Sequence, residues 1–329
     1  MTMAAEQAHR TVEASVPSED DLLRLLVDSV EDYAIYLLDP QGKVITWNTG
    51  AERLKGYTKE DAIGRHFGQF FTPEEQAAGK PEALLAAAAA AGRTVDEGWR
   101  MRKDGSRFWA EARLTAVSGA NGAPVAFAKV TRDRSERKAQ EQQVSRLNRL
   151  YAVLSEINQA IVRTRLLEEL FPQACRIAVE QGGLSLAWIG LCDAATEQIS
   201  LAGSAGIDAQ DIELLAARLH AGLPEHSLAL QALRTGRHAS IDDLHAPAAA
   251  EVRLPFRRSE SLRSCAVFPL ILDGAAVGVF ALCAAEPDFF DGEQCKLLAE
   301  LAMDLAFALE VERTQQQRRK TMEELRTSE

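Results

Sequence analysis

Cysteine is scarce and one-sided in this chain. There are five, Cys175, Cys192, Cys265, Cys283 and Cys295, and none precedes position 175. No two form a CxxC pair and no His/Cys spacing matches a zinc site, so buried thiols in a reducing compartment are expected. Long apolar runs are missing as well. The most apolar stretch, residues 266–285, is interrupted at Asp273-Gly274, a hairpin signal, and so reads as two strands rather than a membrane span. The first twenty residues have no apolar centre of the kind a signal peptide needs, and a cytoplasmic location is the expectation. Positive charge is in deficit too. A formal net charge of −11 argues against binding a phosphate backbone, and the runs "RMRKDGSR" and "QQQRRK" read as solvated faces.

What is present describes a folded, two-part chain. Its 329 residues suit about two domains of roughly 150 residues each, and 47% hydrophobic with 26% charged residues is the balance of a globular protein. Residues 1–17 are expected to be disordered. Ser18 and Asp21 form a capping-box pattern that opens a helix through "EDDLLRLLVDSV". "YAIYLLD" and "KVITWN" read as two strands around Pro-Gln-Gly. In "VITWNTGAERL" the strand period gives way at Asn48 to a helical one, so Asn48 is expected to cap and Trp47 to pack on the sheet. Short helices follow to Gly92, the last with Pro81 in its first turn. Three strands then follow: "VDEGWRMRK" and "SRFWAEARLTAV", joined at Asp104-Gly105, and "APVAFAKVTRD". This order gives an α+β fold, an antiparallel sheet whose short helices close over one face.

From Ser135 the chain turns helical and charged. Val144, Leu147, Tyr151, Leu154, Asn158 and Ile161 alternate at spacings of three and four, a possible coiled-coil seam with polar Asn158 at an a position; packing on its own domain is the simpler alternative. The second half is again α+β. A helix through "LLEELFPQACRIAVEQGG", with Pro172 in its first turn or at a kink, leads to strands "SLAWIGLCD" and "EQISLAGSAG" and two helices near 208–221 and 224–235. The strand "HASIDD", a loop-helix region through "EVRLPFRRSES" and the hairpin around Asp273-Gly274 complete the sheet before a final helix from 291.

These segments carry two resemblances. "DYAIYLLDPQGKVITWNTGAERLKGYTKEDAIGRHF", "RMRKDGSRFWAEARLTAV" and "AFAKVTRDRSERK" resemble, in order, the entry, central hairpin and exit of an S-box PAS domain. "ACRIAVEQGGLSLAWIGLCD", "ALRTGRHASIDDL", "SCAVFPLILDGAAVGVFALCAAEPDFFDGE" and "LLAELAMDLAFALE" resemble a GAF domain. The implied layout is a tail over 1–17, a PAS domain over 18–135, a linker helix over 136–165, a GAF domain over 150–311 and an output helix over 312–329. What the resemblance implies is a sensory input module of a bacterial-type signal-transduction protein, working as a homodimer through the linker and C-terminal helices, with a downstream effector domain or partner protein. Asp133, in a variant Asp-x-Thr exit motif with Ser135 in place of Thr, and Asn158 are the implied relay residues. The rival is that the chain is the amino-terminal part of a diguanylate cyclase, a phosphodiesterase or a sensor histidine kinase.

No enzyme is expected within the chain itself. It has no Walker loop, GGDEF or EAL string, "HELRTP" box or ATP-lid glycine cluster, and the adjacent Asp242-Asp243 point to opposite faces of a strand. The cofactor stays unknown. Flavin-adduct photoreceptors resembling the first domain carry Asn-Cys-Arg where His66-Phe67 stand, and the cysteine-free first half offers no bilin linkage. Haem and non-covalent flavin stay open, the latter with Trp99, Trp109 and Phe127 as walls; a structural His66 and a plain aromatic core are the simpler readings. The second domain lacks the cyclic-nucleotide signature of phosphodiesterases, and Cys265 is followed by Ala266 rather than the histidine of bilin-binding relatives. Pocket candidates are therefore Trp47, Asn48, His66, Phe67, Trp99, Trp109 and Phe127 in the first domain, and Trp188, His226, Cys265, Phe268 and Phe280 in the second.

Overall fold

The computed structural model describes residues 18–120, 122–164, 166–193, 198–249 and 261–327. The expected tail over 1–17 and the loop-helix region through 251–260 lie outside them. The chain divides into two compact units, with the boundary between Glu141 and Gln142 inside one helix.

The first unit opens with α1 (Glu19–Asp28), where Ser18 and Asp21 make the expected capping box. It continues through β1 (Tyr33–Leu38), α2 (Thr49–Lys55), α3 (Lys59–Ala62), a 3-10 turn (Phe67–Phe70), α4 (Pro73–Ala77), α5 (Lys80–Ala91), β2 (Arg93–Met101), β3 (Arg107–Ser118) and β4 (Pro124–Asp133). The strands form an antiparallel sheet in the order β1-β4-β3-β2. Along each strand alternate side chains are buried, and Ala34, Tyr36, Leu38, Arg100, Phe108, Ala110, Ala112, Leu114, Phe127, Lys129 and Thr131 face the short helices.

One expected strand is absent. "KVITWN" makes only isolated bridges, Leu38 with Val44 and Lys43 with His66. Side chains end the ladder: Thr46 Oγ1 accepts the Leu37 N–H at 2.9 Å and Asn48 Oδ1 accepts that of Ile35 at 2.9 Å. Where side-chain oxygens take the strand's donors, no backbone pairing is left to propagate.

Helix α6 (Ser135–Arg163) joins the units. The second unit holds α7 (Leu167–Gly182), β5 (Leu186–Cys192), β6 (Ile199–Ala205), α8 (Ala209–Ala221), α9 (Leu228–Thr235), β7 (Ala239–Ile241), β8 (Ser264–Leu272), β9 (Ala275–Ala284) and α10 (Gly292–Thr327). Its antiparallel sheet runs β6-β5-β9-β8-β7. One face packs on α6, α7 and α10, the other on α8 and α9. Pro172 lies inside α7 rather than in its first turn. There β6 approaches closely: a Cβ at Gly203 would come within 2.6 Å of the Phe171 carbonyl carbon, so only glycine fits.

Helix α6 buries Leu150, Val153, Ile157 and Ala160 in its own domain's core, with Leu154 and Ile161 beside them. Of the expected seam, Val144 and Tyr151 are left exposed and Asn158 is half-buried. The cysteine expectation needs correction. Cys265 and Cys283 form a disulfide, while Cys175 and Cys295 are buried thiols and Cys192 is a partly exposed one. The two bonded residues stand directly opposite on β8 and β9 because a bulge between Leu270 and Ile271 shifts the register by one residue.

Candidate functional site

The PAS-like inner face is apolar at one end and cationic at its centre. Trp47 stacks on Phe70 with ring centroids 5.5 Å apart, and its indole N–H donates to the Tyr57 carbonyl at 2.9 Å. Asn48 is 3% exposed and works in both directions. Its Oδ1 caps α2 at Ala51 (2.8 Å), and its amide lies 3.1 Å from the carbonyls of Val27, Val30 and Tyr33. Both residues are packing and corner residues, as the change of period implies.

Beyond them sit three cations, each no more than 3% exposed: Lys55 at the end of α2, Arg100 on β2 and Lys129 on β4. The Lys55 ammonium lies over the rings of Phe70 (4.5 Å), Phe108 (5.3 Å) and Tyr36 (5.9 Å). That of Lys129 lies over Phe67 (4.4 Å) and Phe71 (5.0 Å). Arg100 pairs with Asp96 and, at 3.1 Å, with Glu75; Lys80 pairs with the same carboxylates at 3.0 and 2.6 Å. Gly98 makes room for this network, since a Cβ there would stand 3.1 Å from both Arg100 and Glu75. Two carboxylates thus answer Arg100 and Lys80. Among the described residues Lys55 and Lys129 have ring contacts but no hydrogen bond or direct ion pair, and Asp96 acts on Lys129 only through its charge at longer range.

The unmet polarity extends to neutral groups. The hydroxyls of Tyr36 and Thr131 face each other, yet neither makes a hydrogen bond of ordinary geometry, and the Arg100 Nε–H is unpaired as well. Native interiors satisfy most buried polar atoms, and three of the unpartnered ones among the described residues gather here. Burial, reinforced by Arg100 and Arg102, pulls the Lys55 amine from an ordinary 10.5 to about 7. Burial first, then Lys55 and Arg100, hold Lys129 well below the ordinary lysine value, and burial pushes the Tyr36 phenol up.

The exit of the domain is tied to the same cluster. Arg102 stacks on Phe108 at 4.4 Å, the ring that also faces Lys55, and donates to the Leu54 carbonyl and to Asp133 Oδ2 (2.7 Å). Asp133 Oδ1 accepts the Ser135 N–H at 2.8 Å, and Ser135 Oγ accepts the Trp109 N–H at 2.8 Å. Burial raises the Asp133 carboxyl, but hydrogen bonds from Ser135 and Arg102 outweigh it and leave a net lowering. Ser135 therefore fills the exit-motif position in which threonine was expected.

The other candidates scatter. Phe67 and Phe127 are core residues on the inner face, whereas His66 is half-buried and its Nδ1 accepts the Gly68 N–H at 3.2 Å, capping the 3-10 turn. Trp99 and Trp109 do not wall the inner face. They pack edge to face, centroids 5.4 Å apart, on the sheet's opposite side, because odd positions of β2 and β3 point outward. In the second domain Trp188 and Cys265 lie on the face covered by α8 and α9, while Phe268 and Phe280 lie in the core on the other face, so no single pocket gathers them. His226 is exposed. Asp243 is held at about 2 by Arg263, which grips both its oxygens at 2.9 and 2.5 Å. Sequence reading missed Lys55, Arg100 and Lys129. Their signal was a charged residue at an inward-facing position of an otherwise apolar pattern, as in "AFAKVTR".

Comparison with known proteins identifies the two domains. A PAS fold model matches residues 27–139 and a GAF domain model residues 164–310. The chain thus carries a PAS domain followed by a GAF domain. It is 48% identical over 122 residues, 37% of its length, to two-component system protein A of Emericella nidulans. It is also 24% identical over 181 residues, 51% of its length, to the bacterioopsin transcriptional activator of Halobacterium salinarum. These matches span 18% and 26% of the relatives' own lengths. Among solved structures, a PAS domain from Colwellia psychrerythraea is 28% identical, covering 36% of this chain and 99% of that one, with a TM-score of 0.34. The GAF domain of a phosphoenolpyruvate-protein phosphotransferase from Coxiella burnetii is 17% identical, covering 50% and 95%, with a TM-score of 0.42. Among the described residues no helix is long and apolar enough to cross a membrane, and no cluster of side chains suits a metal ion.

Proposed function

We propose that the chain is the input module of a cytoplasmic signalling protein in which the PAS core senses a small molecule and passes its state into α6. The carrying observation is the continuous run of contacts from Lys55 through Phe108, Arg102 and Asp133 to Ser135, the first residue of α6. A change at the core that moves α2 or Phe108 displaces Arg102, and Arg102 holds the carboxylate that caps the helix. Switching then needs only two arrangements of this joint a few kcal/mol apart. In this reading both domains sense and relay, and catalyse nothing themselves; the output belongs to a downstream effector domain or a partner protein. Asp133→Ala should raise hydrogen exchange across the first turns of α6 while leaving the GAF core unchanged. Unchanged protection there would remove the joint from the pathway.

The module acts as a homodimer. Support comes from α10, whose inner stripe of Leu298, Leu301, Leu305 and Leu309 fills the core while Met303, Phe307 and Val311, four residues apart, stay exposed on another side. A second apolar stripe on a core-packed helix fits a helix–helix contact with another copy. Phe307→Arg should shift the sedimenting species from dimer to monomer without lowering the melting temperature; an unaltered dimer places the contact elsewhere.

A further inference from the structure

The cationic centre of the PAS inner face has more unmet donors than any other part of the described structure, and their arrangement specifies a ligand chemistry. We propose that this centre is an anion site whose ligand is a small carboxylate with a short apolar body, received by the ammonium groups of Lys55 and Lys129 and by the hydroxyls of Tyr36 and Thr131. The assignment rests on the reading of the PAS core as the sensing site and names what it senses.

Charge accounting comes first. Glu75 and Asp96 are already paired with Arg100 and Lys80, and Asp96 reaches Lys129 only through its charge at longer range, so neither Lys55 nor Lys129 has a directly bound anion among the described residues. Burial already favours the uncharged amines, which is how the empty site avoids the cost of an unpaired buried charge, and a bound carboxylate held by charge-assisted hydrogen bonds favours their protonated form again. Donor count points to a carboxylate. Two ammonium groups and two hydroxyls match the roughly four lone-pair positions on its two oxygens. The hydroxyls and Lys129 also sit together in the sheet, for Tyr36 pairs with Lys129 across β1 and β4, and Thr131 is the next inward residue along β4.

The surroundings select the rest of the ligand. Phe70 and Phe108 lie under Lys55, and Phe67 and Phe71 under Lys129, so whatever extends beyond the charged end meets rings. The inward residues opposite Thr131 are Ala34 on β1 and Ala112 on β3, so only small apolar side chains flank it within the sheet. A strongly hydrated dianion such as phosphate gains nothing from rings and alanines. A short aliphatic or aromatic acid does.

Calorimetric titration of the dialysed full chain with propionate, succinate and benzoate tests this, with propionamide and inorganic phosphate as comparators. At least one acid should bind with a Kd below about 1 mM, with both comparators at least about ten-fold weaker. Lys129→Met should weaken the binding acid by about ten-fold or more; if that variant does not fold, Thr131→Val, which removes one donor without changing volume, should still weaken it several-fold. Absence of binding by all three acids overturns the proposal, as does binding undiminished in the variants, and phosphate binding alone overturns the carboxylate assignment. The underlying reading fails separately. An acid that binds without altering exchange in α6 keeps the site and removes the relay, whereas no binding together with a loosened α6 in Asp133→Ala keeps the relay and removes the site.

Discussion

Lys55→Met should stabilise the ligand-free protein, and by more at pH 6 than at pH 9. Below pH 7 the Lys55 amine is protonated both folded and unfolded, so the full cost of burying the ammonium falls on the native state. Above pH 7 the native amine gives up its proton while the unfolded one keeps it to about 10.4, so the wild-type protein gains stability as pH rises through this window. The groups facing Lys55 do not reverse the sign. Arg100 and Arg102 oppose its charge, Lys129 adds to them, and Tyr36 is a phenol raised by burial. At about 1.4 kcal/mol per pH unit the penalty at pH 6 is on the order of 4 kcal/mol. Methionine keeps the length and the ring contacts of the side chain. About 4 kcal/mol corresponds to a rise of 10 °C or more in the melting of a domain of roughly 100 residues. Thermal melts of both proteins at the two pH values read the difference directly, with pH effects common to both chains cancelling. The gain should shrink to about half at pH 9. A variant destabilised equally at both pH values would mean that Lys55 is a satisfied core residue.

Opening the Cys265–Cys283 bond should lower the stability of the second domain by about 3 kcal/mol, the chain-entropy value for a closed loop of this length. The bond joins strands at the centre of the sheet, where both residues are under 4% exposed, so a reductant reaches it only after local opening. Cys283→Ser and reduced wild type should therefore melt at nearly the same lowered temperature, while oxidised wild type melts higher and the first domain's transition stays in place. Equal melting of oxidised and reduced wild type would show that the sheet alone carries the stability. In a reducing compartment the pair would rest as two thiols, so the redox state of the sample must be fixed before any comparison.

Much of the architecture was readable from residue order because its signals are local. Ser18 with Asp21, Asn48, Pro81 in a first helical turn and the Asp-Gly turns each dictate their own neighbourhood, and the structure has them where the sequence puts them. Features requiring register were not readable. A tight hairpin turn at Asp273-Gly274 pairs residues symmetrically about itself, which places Cys265 opposite Leu282; only the bulge at Leu270/Ile271 brings Cys283 there. The lost second strand has the same origin, since "KVITWN" has strand-like residues and nothing local shows that Thr46 and Asn48 will take the donors of β1.

The site was the least legible part, again for a physical reason. Aromatic residues drew the pocket assignment, yet Trp99 and Trp109 alternate outward while the charged Arg100 between them and the loop turns inward. A lysine such as Lys129 inside "AFAKVTRD" usually marks a solvated face, and its burial becomes visible only once β4 lies between β1 and β3. Asp133 was singled out because it belongs to a local exit motif, although its partner Arg102 comes from a loop 31 residues earlier.

The central claim is that the state of the PAS core reaches α6 through the Arg102–Asp133–Ser135 joint. Hydrogen exchange of residues 135–145 in wild type, Lys55→Met, Asp133→Ala and the double variant tests it most directly. The account predicts that Lys55→Met alters exchange in these first turns and that the alteration vanishes when Asp133 is already absent. Exchange there that ignores Lys55→Met, or that responds to it equally with and without Asp133, would contradict it.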